Sequence, residues 1–311
     1  MLNNKVIHPV LIIGAGPAGM TAAIYLKRAN VTPVIVDKDA PGGKLNITQK
    51  VENYPGYTSI SGPDLAFKMF EQVRELGINI DYADVKKISK DGDIFKIETT
   101  EEPLYAETVI VATGTAERKL KIPGEARYTN KGVSYCAVCD GSLYKDRPIA
   151  VIGGGNSALE ESLFLTKFVA KVYLVHRRQG FRADDMLVSQ VKENPLIELV
   201  LDAIPVEVLG DGTKVTGLST KNVLTGEDRI LKVDAVFPFV GSDAQSDMLE
   251  GLDVKDDKGY VLVDENMETK ISGLYSIGDI NAKVLRQITT ATADGSIAGI
   301  AVSKRLRTLK K

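Results

Sequence analysis

The chain contains only two cysteines, Cys136 and Cys139, in the stretch SYCAVCDGS, with Asp140 directly behind the second. A C-x-x-C pair can be half of a zinc site, a redox disulfide, or two ordinary buried thiols. A structural zinc centre needs about four sulfur or nitrogen ligands. The only histidines are His8 and His176, far from the pair in sequence, so one chain does not easily complete such a site, and no metal is expected. Two core cysteines are the default for an arbitrary pair, less so at this spacing beside an acid. Nothing near the amino end matches a secretory leader, which leads us to expect a cytoplasmic protein. There a disulfide is more often catalytic than structural.

Thiol chemistry needs an electron source, and two segments supply candidates. In VLIIGAGPAGMTAAIYLKRANVTPVIVDKD an apolar strand from Val10 to Ile13 runs into Gly14, Gly16 and Gly19. A helical apolar repeat follows, then a second strand ending at Asp37. The glycines of such a G-x-G-x-x-G turn let the backbone approach a pyrophosphate and let helix and strand pack closely. The helix amino end then offers free N–H groups and a partial positive charge to phosphate.

The same unit recurs as IAVIGGGNSALEESLFLTKFVAKVYLVHRR, with a strand from Ile149 to Ile152 and Gly153, Gly155 and Ala158 at the turn. Its spacing predicts a helix over 159–169 and a strand over 171–175. The same interval, 23 positions, separates Gly14 from Asp37 and Gly153 from His176. The terminal residue changes from an acid to a base, followed by Arg177 and Arg178. A carboxylate favours a free ribose 2′-hydroxyl, whereas an arginine pair favours a 2′-phosphate. The first unit should therefore hold an unphosphorylated adenosine, as in FAD or NAD, and the second NADP(H). Arg182 could reach the same phosphate from the following loop.

With 311 residues, the chain exceeds what one core usually holds. The fold class expected is α/β, with two Rossmann-like dinucleotide-binding domains. Strand-like runs over 108–115 and 235–242 return after each unit, the second weakened by Pro238. Another run ends at Gly278 and Asp279. The economical arrangement inserts one domain in the other: residues 1–115 with 247–311 form a discontinuous FAD domain, and 119–243 an NADPH domain carrying the C-x-x-C pair. The segment from Arg286 to Leu309 has helical spacing and should pack back on the first domain. Opposite charges nearly balance, 39 basic against 41 acidic residues, which gives no support to a nucleic-acid or anionic-membrane partner. No apolar run is long enough to cross a membrane as a helix.

From Val10 to about Ala301, the motifs GAGPAG, PGGKLNITQKVENYPG, VIVATGT, CAVCDG, GGGNSA, HRRQGFR and SIGDINAKVLRQ occur in one order. In this the chain resembles the low-molecular-weight thioredoxin reductases of bacteria, within the pyridine nucleotide-disulfide oxidoreductases. The resemblance implies a homodimeric, NADPH-dependent flavoenzyme that reduces thioredoxin or a thioredoxin-like protein. It implies FAD on Gly14, Gly16, Pro17, Ala18, Gly19 and Asp37, and on Gly42, Gly43, Lys44, Leu45 and Asn53. Thr113 and Gly114 would close over it. Gly278 and Asp279 would take the ribityl–pyrophosphate region, and Arg286, Gln287 and Ile288 would line the flavin. NADPH would lie on Gly153, Gly154, Gly155, Asn156 and Ser157, with His176, Arg177, Arg178 and Arg182.

Catalysis is expected at Cys136, Cys139 and Asp140: the resemblance implies that Cys139 faces the flavin and that Asp140 serves as general acid/base. Asp140 could equally be a plain helix N-cap. Because disulfide and NADPH loop share the inserted domain, the resemblance also implies that this domain rotates between half-reactions. Lys44, Ser134–Tyr135, Ala137–Val138 and the segment after Gly241 depart from the family's usual residues. Rival readings are the reductase partner of a peroxidase, a ferredoxin–NADP reductase, a ferredoxin-fed relative, and a flavin-binding sensor. The first would carry an extra redox domain, the second would lack the thiols, and the third would lack the basic set. A sensor would not need loop, arginines and thiols together.

Overall fold

The computed structural model describes residues 6–48, 51 and 53–309, with backbone only for Val138, Cys139 and Leu309. It divides into two compact units, residues 1–116 with 243–311, and residues 117–242.

The first unit begins with β1 (Ile7–Ile13), α1 (Pro17–Arg28), β2 (Val34–Asp37), α2 (Gly62–Glu75) and β3 (Ile80–Tyr82), followed by β4 (Val85–Asp91), β5 (Ile94–Thr99) and β6 (Leu104–Val111). The chain leaves through β7 (Thr115–Glu117). The second unit contains α3 (Glu125–Tyr128), α4 (Ala137–Asp140), β8 (Pro148–Gly153), α5 (Asn156–Leu165), β9 (Lys171–Val175), α6 (Asp185–Glu193) and β10 (Ile197–Val200). Strands β11 (Ala203–Gly210), β12 (Val215–Asn222), β13 (Asp228–Leu231) and β14 (Ala235–Phe239) complete it. The chain returns through β15 (Ser242–Ala244), which pairs with β7, and ends with β16 (Leu274–Ser276) and α7 (Ile288–Leu309).

In the first unit, the sheet runs β3-β2-β1-β6-β5-β4, and β16 also pairs with β6. Strands β3, β2, β1, β6 and β16 are mutually parallel, and β5 and β4 add an antiparallel ribbon. Strand β1 shows how a continuous apolar run builds a sheet buried on both faces. Val10 and Ile12 join one core with α1 and α7, while Leu11 and Ile13 join the other. Helix α7 comes close to α1 because two of its residues lack side chains: a Cβ at Gly295 would lie 2.4 Å from the Ala18 carbonyl oxygen, and one at Gly299 2.8 Å from the Cβ of Tyr25.

The second unit repeats the scheme in a parallel sheet of order β10-β9-β8-β14, beside an antiparallel meander β11-β12-β13. Ile149 and Val151 of β8 face one core, Ala150 and Ile152 the other. Pro238 sits inside β14, which is an edge strand, where a missing N–H costs no ladder bond.

Three expected boundaries shift. The strand read over 108–115 ends at Val111, and that over 235–242 ends at Phe239. In each case a glycine with left-handed backbone, Gly114 (φ 69°) or Gly241 (φ 107°), bends the chain toward a crossing strand. The helix read over 159–169 spans Asn156–Leu165. It starts as soon as the glycine turn ends, and after Leu165 the chain turns so that Phe168 can meet Phe164 edge-on at 5.3 Å.

Phe237 is fully buried in the second unit and meets Tyr144 edge-on, ring centroids 6.0 Å apart. Phe237→Ala should cost about 3–5 kcal/mol, read as a lowered urea midpoint. A loss under about 1 kcal/mol would show that this core is not packed as described.

Candidate active site

The first glycine turn is set by a backbone contact. Gly14 has φ 109°, and a Cβ there would lie 2.4 Å from the Ala112 carbonyl oxygen. A Cβ at Gly19 would lie 1.9 Å from the Gly14 carbonyl oxygen. A Cβ at Gly16 would meet no atom within 4 Å, so the backbone there faces open space. Gly16 is also the N-cap of α1, with no side chain capping it and Pro17 in the first turn. The helix amino end is thus left for an anion, as a pyrophosphate site requires.

Asp37 closes the turn from the end of β2. Its Oδ2 accepts the Ala15 N–H at 2.6 Å and its Oδ1 the Asp39 N–H at 2.9 Å, which leaves each oxygen capacity for a ribose hydroxyl. Gly42 docks on the turn by donating its N–H to the Ala15 carbonyl, 2.8 Å, and Gly43 lies against Gly16. Leu45 is buried beside Val51 and Leu65, while Lys44 Nζ donates to Thr115 Oγ1 at 2.8 Å.

Five more predicted residues lie in the same unit. Asn53 Nδ2 donates to Gln287 Oε1 at 3.1 Å. Arg286 donates to the carbonyls of Asp279 and Asn281, both at 3.0 Å, and its guanidinium stacks over Tyr260 at 4.1 Å. Ile288 opens α7 beside Leu45. Burial pushes the Asp279 carboxyl above its ordinary range, opposed by the charges of Lys44, Lys283 and Arg286. Gln49, Lys50 and Glu52 of the quoted motif lie outside the described residues.

The second turn copies the first. A Cβ at Gly153 (φ 157°) would lie 2.4 Å from the Phe239 carbonyl oxygen, while Gly155 faces open space and is the uncapped N-cap of α5. Asn156 is tied to Asp184 by two hydrogen bonds, 2.8 and 3.0 Å, and Ser157 is exposed. His176 departs from the picture of a phosphate ligand. It is buried, stacks on Phe181, contacts Gly180 O through Nε2 at 3.2 Å, and lies so close under Gly154 that a Cβ there would be 2.1 Å away. Burial lowers its pKa, keeping the ring neutral. Arg177, Arg178 and Arg182 are exposed, and Arg182 N–H donates to Gly154 O at 2.7 Å, bringing that arginine back to the turn.

Cys136 is disulfide-bonded and precedes the single-turn helix α4; the side chain of Cys139 lies outside the described residues. Asp140 ends α4 and stands at the N-cap position of the following 3-10 turn, Gly141–Tyr144, where its side chain makes no capping hydrogen bond. The N-cap reading therefore describes its place but not its bonding. Among the described residues no cluster of His, Cys, Asp or Glu could hold a metal ion.

Comparison with known proteins agrees with this geometry. The family pattern described as pyridine nucleotide-disulphide oxidoreductase matches residues 8–295. The chain belongs to that family. It is 42 % identical to a thioredoxin reductase of Listeria monocytogenes, covering 100 % of this chain and 98 % of the relative. Among solved structures, a Lactococcus lactis thioredoxin reductase superposes with a TM-score of 0.83 at 40 % identity, covering 97 % of this chain and 99 % of the other. One from Streptococcus pyogenes gives 0.77 at 43 %, covering 98 % and 100 %.

This pyridine nucleotide-disulphide oxidoreductase also uses residues that motif spacing misses. Gln245 holds the Thr113–Gly114 loop: Thr113 Oγ1 donates to its carbonyl at 2.6 Å, its side chain donates to Thr113 O at 3.1 Å, and its N–H to Gly114 O at 3.0 Å. Asp294, on α7, accepts the Gly278 N–H at 2.8 Å and pairs with Lys283 at 2.5 Å. Spacing also misses Glu161 on α5, an acid that affects stability. Burial, with help from Glu160, pushes its carboxyl up to about 7. The folded state then binds more protons than the unfolded state between about pH 4.5 and 7, so Glu161 costs stability as pH rises through that window. Glu161→Gln should stabilise the protein at pH 8, on the order of 2 kcal/mol, and have little effect at pH 4.5. Equal effects at both pH values in urea titrations would refute this.

Proposed function

We propose that the protein is a thioredoxin reductase that moves electrons from NADPH, through FAD, to the disulfide of thioredoxin or a thioredoxin-like protein. The observation that carries this is the pairing of a disulfide-bonded Cys136 with two open glycine turns, one closed by a carboxylate and one flanked by exposed arginines. Full-length similarity to thioredoxin reductases supports it. No helix among the described residues is long and apolar enough to cross a membrane. A homodimer working in the cytoplasm is part of the proposal.

FAD supplies hydride acceptance from NADPH and two-electron delivery to a disulfide. The uncapped end of α1 and the Asp37 carboxylate suit its pyrophosphate and ribose, and the half-buried Asp279, with Arg286 and the Asn53–Gln287 pair, suits its remaining length. Arg177 and Arg178 select the 2′-phosphate of NADPH. Reduction breaks the Cys136–Cys139 bond and leaves one thiol and one thiolate. The thiolate attacks a sulfur of the partner's disulfide, forming a mixed disulfide and releasing a partner thiolate; the remaining enzyme thiol, once deprotonated, attacks in turn and re-forms the enzyme disulfide. Asp140 is the proposed proton carrier for these thiols. NADPH and one proton are consumed, and NADP⁺ and the partner dithiol are produced.

The disulfide and the arginine-flanked turn belong to one unit, and the carboxylate-closed turn belongs to the other. Both redox groups of the inserted unit must reach one flavin in sequence, so that unit is proposed to rotate about β7 and β15. A crosslink that fixes the two units should abolish steady-state turnover while sparing one half-reaction in single-turnover measurements. Full turnover of the crosslinked enzyme would exclude rotation.

The deciding assay is NADPH-dependent reduction of a thioredoxin. Wild type should prefer NADPH to NADH, and Cys139→Ser should abolish reduction of thioredoxin while leaving NADPH oxidation by an artificial acceptor. Replacing both Arg177 and Arg178 by Ala should raise KM for NADPH about 10- to 100-fold, as expected for lost charge-assisted bonds, with little change for NADH. NADPH oxidation without any disulfide reduced would defeat the proposal.

A further inference from the structure

We propose that Tyr135 is a positioning residue for the redox disulfide, locked through the buried Glu125 carboxylate to the segment that follows β7. This rests on reading Cys136 as a redox thiol, and every group involved lies within the second unit.

Glu125 is only 4 % exposed. Its Oε1 accepts the Leu120 N–H at 2.7 Å and the Tyr135 O–H at 2.6 Å, and its Oε2 accepts the Lys121 N–H at 2.7 Å. Lys121 takes a left-handed backbone, φ 59°, which is uncommon for a side-chain-bearing residue. The carboxylate holds the chain in that bend through both oxygens and binds Tyr135 through Oε1, which it shares with Leu120. The tyrosine ring is gripped as well. Lys119 Nζ lies 3.5 Å from its centroid, and Tyr135, Leu120 and Ile122 pack on one core.

The main chain beside it is equally pinned. Ser134 N–H donates to Val236 O of β14 at 3.1 Å, and Cys136 N–H donates to Ser134 Oγ at 3.1 Å. The residues entering Cys136 are therefore fixed to a sheet strand on one side and to the Leu120–Lys121 bend on the other. None of these bonds involves sulfur, so they outlast reduction of the disulfide. A first thiol whose position survives reduction meets its partner at high effective concentration. The disulfide then re-forms readily, and the dithiol is the stronger reductant.

The test uses the FAD-loaded enzyme equilibrated with glutathione buffers under anaerobic conditions, followed by acid quench, alkylation and mass spectrometry. Tyr135→Phe removes only the phenolic hydroxyl. The equilibrium constant for forming the Cys136–Cys139 disulfide should fall about tenfold, a rise of about 30 mV in reduction potential. Tyr128→Phe is the comparator. Tyr128 is a buried tyrosine of the same unit whose hydroxyl accepts the Gly212 N–H at 3.2 Å. It should lower Tm without moving the potential. Glu125→Gln, which turns one acceptor oxygen into a donor, should raise the potential by a smaller amount and serves if Tyr135→Phe does not fold. A wild-type potential in the folded Tyr135 or Glu125 variant, or an equal shift in Tyr128→Phe, would overturn the proposal. No thioredoxin enters this equilibrium, so failure of the thioredoxin assay and failure of the clamp give separate results.

Discussion

A carbonyl oxygen occupies the space where Gly14 would carry a side chain, and the same 2.4 Å approach recurs at Gly153. In each unit the contact joins the end of the central strand to the end of its neighbour, Ala112 just after β6 or Phe239 as the last residue of β14. It fixes the direction in which the chain enters the helix, and hence where the uncapped amides of α1 and α5 point. It also fixes where the neighbouring strand stops. Beyond that stop come Gly114 and Gly241, whose left-handed backbones start the crossing strands. Nucleotide turn and connector are thus consequences of one packing constraint, met twice. Any Cβ at Gly14 or Gly153 would disturb both.

The two turns share this geometry but differ in what closes them from below. Asp37 accepts a loop amide, so its structural bond uses the same carboxylate that is proposed to take a ribose hydroxyl. At the matching place His176 does its structural work by shape, filling the space under Gly154 as a buried neutral ring. The exposed arginines after it carry the positive charge that the proposed 2′-phosphate site calls for. Register and resemblance together set His176 beside the arginines as NADPH residues. Burial separates them: a desolvated imidazole is a poor phosphate ligand, whereas a guanidinium stays charged whatever its surroundings.

What was legible in the sequence is what depends on neighbours a few residues away. Apolar runs, glycine spacing and the acid-to-base switch are local, and the strand–turn–helix units at Gly14 and Gly153 follow from them. Strand ends were less legible, because Gly114 and Gly241 look like the end of a run rather than a bend within one. The supporting residues were not legible at all. Gln245 meets Thr113 across 132 positions, Asp294 meets Gly278 across 16, and Glu125 meets Tyr135 across 10, each through a bond that only the folded chain creates. A buried glutamate in a four-residue helix has no pattern of its own. The one available signal was the odd pair Ser134–Tyr135 beside the first cysteine, whose polar atoms needed partners close to a buried segment.

Those supports bear on how a redox disulfide can stay well defined. A disulfide on a flexible loop would lose its thiol pairing once reduced, and a disulfide buried in a rigid core could not meet another protein. Here the segment entering Cys136 is bound to β14 through Ser134 and to the bend after β7 through Glu125, while each crossing is a strand of three residues. The crossings are held as well, by the pairing of β7 with β15 and by the bonds of Gln245 to Thr113 and Gly114. Local opening follows the density of packed and hydrogen-bonded groups, so the bonds of Ser134 and Tyr135 oppose deformation beside Cys136. The bend at Leu120–Lys121 is the first structured feature after the crossing. Glu125 binds that bend to Tyr135, the residue before Cys136.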